Sequence, residues 1–194
     1  MTGPTQIGRP TDGRLLPPGG AQPPGGWFLR AVGAVSTLAG WFSAAMLVAA
    51  VAVTCQMIFV RFVLNESTIW QTELVVYLVI AATLIGLPYV QHLRGHVNVD
   101  LVPIAMKSRP RFVLAVVTLA ATIVITFLML WYGVDYWLYV WDRGWRSGTV
   151  WDVELWLPYL AMPIGFGLLL LQLAADFVAL VTGAEKPFGL EGEN

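Results

Sequence analysis

The chain has 194 residues, 57% hydrophobic and 12% charged, with a mean hydropathy of +0.70 and a net charge of −1. A charged share about half that of an ordinary soluble domain leaves too much apolar surface to hide from water, so the chain reads as one membrane-embedded unit. The near-zero charge gives no field for nucleic acid. The single Cys55 and the adjacent pair His92 and His96 cannot build a disulfide framework, a zinc cluster or a haem held between spans, so no cofactor and no metal are expected.

Residues 1–26 are dominated by Gly and Pro and end in PPGGAQPPGG. They are expected to form a disordered tail on the cytoplasmic side. They lack the short early apolar core of a cleaved secretory signal. A transmembrane domain over 27–183 and a cytoplasmic C-terminal tail over 184–194 complete the expected organisation.

Four runs are long and apolar enough to span a bilayer: roughly 32–60, 73–90, 112–132 (with an extension to Val140 possible) and 157–180. Lipid offers no partners for backbone N–H and C=O groups, and the alternation of a barrel strand is absent, so each run is read as a helix. Pro158 falls in the first turn of the fourth, where its missing N–H is tolerated, while Pro163 should break the ladder at the Tyr159 carbonyl. The fold expected is an all-α membrane protein of four transmembrane helices. A short cytoplasmic interfacial helix, Leu101–Lys107, is expected between the second and third.

Orientation follows from the distribution of Lys and Arg. Arg9, Arg14, Arg30, Arg94, Lys107, Arg109, Arg111 and Lys186 fall on one side, and Arg61, Arg143 and Arg146 on the other. The richer side is cytoplasmic by the positive-inside rule, which puts both termini there. The tryptophans gather near the span ends, most densely on the outer side, as an interfacial belt does.

Three polar constellations remain. The outer hairpin between the first two spans runs from Arg61 to Glu73, close enough for the two to pair or to face water separately. On the cytoplasmic side, Arg94, His96 and Asp100 can bond one another in a turn, with Asp100 capping the interfacial helix. The outer loop 135–156 sets Asp142, Arg143, Arg146, Asp152 and Glu154 among five tryptophans, which suits either a solvated interfacial loop or a docking surface for a partner. Asp176 lies near the cytoplasmic end of the fourth span, where snorkelling to water is expected. No internal repeat, phosphate loop or catalytic triad is visible.

Several of these pieces, in this order, resemble the small membrane subunit of the tripartite ATP-independent periplasmic (TRAP) transporters, the DctQ family. They are Arg61-Phe62-Val63-Leu64-Asn65; Trp70 and Glu73 with Tyr77; Gly95-His96-Val97-Asn98-Val99-Asp100; Ser147 and Thr149; Leu157-Pro158-Tyr159; and Met162-Pro163-Ile164-Gly165-Phe166. The resemblance implies a non-catalytic subunit of the bacterial inner membrane that scaffolds a large permease subunit and helps dock a periplasmic substrate-binding protein. The system it implies imports organic acids by symport, driven by an ion gradient. It implies structural or interface roles for Arg61, Trp70, Glu73, Arg94, His96 and Asp100. The alternative is a self-sufficient proton-coupled exporter acting as an oligomer, with Glu73 as its proton site.

Overall fold

The computed structural model describes residues 27–93 and 108–181. The N-terminal tail, the interfacial helix expected at Leu101–Lys107 and the C-terminal tail lie outside those residues. Four helices long and apolar enough to cross a membrane are present, and among the described residues there is no strand, only an isolated bridge between Arg146 and Glu154. The all-α, four-span fold read from the sequence is the fold observed.

Helix α1 runs Trp27–Phe59 and continues through a π-helical turn, Val60–Leu64. Asn65, with φ of 53°, ends it in the left-handed region, which Asn tolerates better than most residues. Its N–H bonds the Val60 carbonyl. Helix α2 follows at Ile69–His92 and α3 at Ser108–Arg143. Helix α3 takes up the extension to Val140 and runs on to Arg143, so residues 135–143, also read as part of the outer loop, are helical; the loop proper is 144–155. The apolar residues Trp137, Leu138 and Val140 carry the helical ladder past the first charge. A short helix α4, Trp156–Tyr159, and helix α5, Ala161–Val181, make up the fourth span. The break between them falls where Pro163 denies the Tyr159 carbonyl its partner.

The helices alternate in direction, but their spatial order differs from chain order. Helix α2 packs along α1, α5 inserts between α2 and α3, and α5 also touches α1. One end of the bundle therefore carries Trp27, His92, Ser108 and Val181, and is called the terminal end. The other carries residues 60–68 and 144–155, and is called the hairpin end.

Helices surrounded by lipid gain nothing from burying apolar against apolar, so they pack through small residues that let backbones approach. Most of the buried positions on α1 and α5, with Ala82 on α2, follow that rule: Ser36, Ala39, Ser43 and Ala50 on α1, and Ala161, Gly165, Ala175 and Ala179 on α5. A Cβ at Gly40 would run into the Tyr89 ring. A Cβ at Gly165 would sit 2.6 Å from the Leu84 carbonyl oxygen. That carbonyl is the one Pro88 leaves without its helical N–H, so Gly165 brings α5 directly onto a bare acceptor. The Ser43 hydroxyl similarly donates to the Ala82 carbonyl at 2.6 Å. Several threonines within the spans return their hydroxyls to the preceding turn, as Thr54 does to Ala50 and Thr83 to Val79, both at 2.8 Å, which meets those donors within their own helix.

Candidate functional site

The polar chemistry of the bundle collects at its two ends. At the hairpin end, the first turns of α2 expose Glu73 to the loop that follows α3. The Thr149 hydroxyl donates to Glu73 Oε2 at 2.6 Å, and the Tyr77 hydroxyl, one turn along α2, donates to Oε1 at 2.6 Å. Ser147 and Thr149 share a further hydroxyl–hydroxyl bond at 2.9 Å. Both carboxylate oxygens are thus engaged by the chain's own donors, and Arg61 is not among them. Arg61 is exposed on the π turn, with no bond to a described residue.

The loop itself is held as a small hairpin. Ser147 N–H bonds the Val153 carbonyl and Leu155 N–H bonds the Trp145 carbonyl, both at 2.9 Å. Gly144, Gly148 and Asp152 take left-handed φ values that turn the chain. Arg146 reaches across the hairpin to Asp152 at 2.8 Å and Glu154 at 3.1 Å. The hydrogen bond to Asp152 raises the pKa of Arg146, with the charges of Asp152 and Glu154 adding to it. All three are about half exposed, so solvent screens the pairing. Asp142 and Arg143 lie on the last turn of α3. Asp142 is exposed, and the Arg143 guanidinium lies 5.0 Å from the centre of the Tyr139 ring. Aromatic rings bracket the loop: Trp70 of α2 meets Trp151 at 6.2 Å, and Trp141 meets Trp156 edge-on at 4.6 Å. Trp156 Nε1 donates to Glu154 and Trp137 Nε1 to the Trp156 carbonyl, tying loop, α3 and α4 together.

At the terminal end a chain of side-chain bonds crosses three helices. Ser36 of α1 donates to Gln172 Oε1 of α5 at 2.6 Å, and Gln172 Nε2 donates to Asp176 Oδ1 at 2.7 Å. Gln91 Nε2 of α2 donates to Asp176 Oδ2 at 2.8 Å. Asp176 is therefore a cross-helix acceptor, not merely a carboxylate reaching for water as the sequence reading had it. The signal was present in the sequence: Gln172 and Asp176 stand four apart, on one face of a helix. His92 packs its ring against Gly33 of α1. Arg94, His96 and Asp100 lie outside the described residues. Among the described residues no three His, Cys, Asp or Glu side chains gather as a metal site would require.

A family model described as the DctQ component of tripartite ATP-independent periplasmic transporters matches residues 50–183. The chain belongs to the DctQ family. The match takes in the last third of α1, the first hairpin and every later helix. No individual curated protein and no solved structure matches the chain. As a DctQ protein it is a multi-pass membrane component of a TRAP transporter, and that family is one of transporter components, not of catalysts. The geometry adds a connection within the DctQ region: Glu73, which also accepts from Tyr77 in the same piece of the resemblance, accepts from Thr149, in another piece more than seventy residues away.

Proposed function

We propose that the chain is the small, non-catalytic subunit of a TRAP transporter in the bacterial inner membrane. In this reading it scaffolds the large permease subunit and helps dock a periplasmic substrate-binding protein, in ion-gradient-driven uptake of organic acids by symport. The terminal end is cytoplasmic and the hairpin end periplasmic, as the Lys and Arg distribution indicates. The observation that carries the reading is the DctQ match over residues 50–183.

The geometry of the polar groups supports it. Glu73 and Asp176 are occupied in bonds between helices and loop, so they act as fasteners. A proton carrier in a self-sufficient exporter needs a carboxylate that can change partners, and Glu73 is held at both oxygens. Docking of the binding protein is assigned to the periplasmic hairpin around Arg146 and Asp152, with Asp142 and Arg143 beside it and Val150, 86% exposed, at its tip. Arg61 and Trp70 border the same end, while Arg94, His96 and Asp100 are assigned to the cytoplasmic turn. The test is native mass spectrometry of the tagged chain, purified in mild detergent after co-expression with the large TRAP component of its own genome. The reading expects the 21.3 kDa chain in a complex with that larger protein. Recovery of the chain alone, or only as a homo-oligomer, would overturn it.

A further inference from the structure

Helix α3 carries an acid that the bundle does not use. Asp135 lies in the interior of α3, exposed on its outer surface, and makes no hydrogen bond or ion pair with any described residue. It contrasts with Glu73 and Asp176, whose carboxylates are each held by two donors from this chain. The nearest cation along α3, Arg143, is two turns on and lies over the Tyr139 ring.

The depth of Asp135 is set by its neighbours. Tyr136 meets Tyr159 edge-on at 5.4 Å and Trp137 donates to the Trp156 carbonyl, so Asp135 stands level with the first turns of the fourth span. It lies eight residues inside the end of α3, about 12 Å along the helix axis. The outward stripe around it is apolar on both sides. Leu128 and Trp131 precede it by seven and four residues, and Leu138 follows by three, all exposed. An unpaired carboxylate on such a stripe is costly against lipid, and acids within membrane helices face protein or water and take a partner. Among the described residues, helix α3 has its inner side against α4 and α5, and no other helix packs along its outer side.

We infer that the outer face of α3, centred on Asp135, is the surface that packs against the large TRAP component, through a membrane helix that presents a Lys or Arg side chain to the Asp135 carboxylate. The inference rests on the subunit role proposed above and adds the face and its charge. The apolar residues supply a packing surface, and Asp135 selects the register, because a carboxylate opposite an apolar or acidic residue at that depth is left without a partner. Asp142, seven residues on and at the helix end, shares the face but stands clear of the apolar stretch, so its charge is screened.

The test uses the full chain co-expressed with the large component. Placing a photo-crosslinking amino acid at Trp131 or Leu138 should give an adduct with the large component, on a peptide with a Lys or Arg within one helical turn. The same group at Trp41 or Val48, exposed on α1, should give none. Asp135→Lys should cut co-purification at least about tenfold and Asp135→Asn by less. A monodisperse elution profile for Asp135→Asn, together with crosslinks made with Asp135 intact, separates a lost contact from a misfolded chain. Adducts only from α1, adducts between two copies of this chain, a crosslinked peptide without a basic residue, or full co-purification of Asp135→Lys would each overturn the inference. If the unaltered chain fails to co-purify, the subunit reading itself falls, and that outcome is distinct from the others.

Discussion

Glu73 shows how far a single residue's role depends on chain geometry. From the sequence its natural partner is Arg61, at the other end of a short hairpin. In the fold its oxygens are taken by Tyr77 and Thr149, because the 144–155 loop folds back onto α2. Glu73→Ala removes the acceptor of two hydroxyls at once and should lower Tm and speed hydrogen exchange in residues 145–155. Glu73→Gln, which keeps one carbonyl oxygen, should lie between. Asp176 makes a parallel case at the other end. Asp176→Asn turns one acceptor into a donor facing Gln91 or Gln172, with an expected loss of about 1–3 kcal/mol in thermal unfolding. Arg146 should matter less, since solvent screens exposed pairs. Its raised pKa means the pairing is fully present below the unfolded-state value and is lost only as pH climbs through the still higher folded value. Exchange in the hairpin should therefore show no loss of protection attributable to Arg146 between about pH 7 and about pH 10.

At the scale of elements, the four helices were legible because lipid forces every spanning backbone into one solution, and apolar length then marks each span. The break at Pro163 was legible for the same covalent reason. The helical stretch 135–143 was legible only in part, as an extension to Val140, since charges and tryptophans there also read as loop. Nor was the placing of α5 between α2 and α3, because hydropathy reports how apolar a face is and not which apolar face it meets. That arrangement depends on pairs that only the fold reveals, above all Gly165 against the Leu84 carbonyl freed by Pro88. Gly165→Leu drives a side chain into that backbone oxygen. It should destabilise the bundle by about 1–3 kcal/mol or more, lowering Tm in detergent, whereas Gly167→Ala, whose Cβ would meet only Leu130 at 3.9 Å, should be close to neutral.

The whole molecule is a bundle closed at both ends by polar fasteners, with its large apolar side chains turned outward along α1 and α3. Such a body suits holding a position in a membrane beside another protein. The orientation assigned to it places the hairpin outside. Val150→Cys, in a chain whose Cys55 is replaced by Ser, should react with a membrane-impermeant maleimide added to intact spheroplasts; reaction only after lysis would reverse the assigned topology. In the proposed role, this chain serves a transporter without being one. Uptake of a labelled substrate into liposomes tests it most directly, under an imposed ion gradient and with the purified components added singly and together. The account predicts no uptake with this chain alone, and uptake when the large component and the binding protein are present with it. Gradient-driven uptake by this chain alone would contradict it.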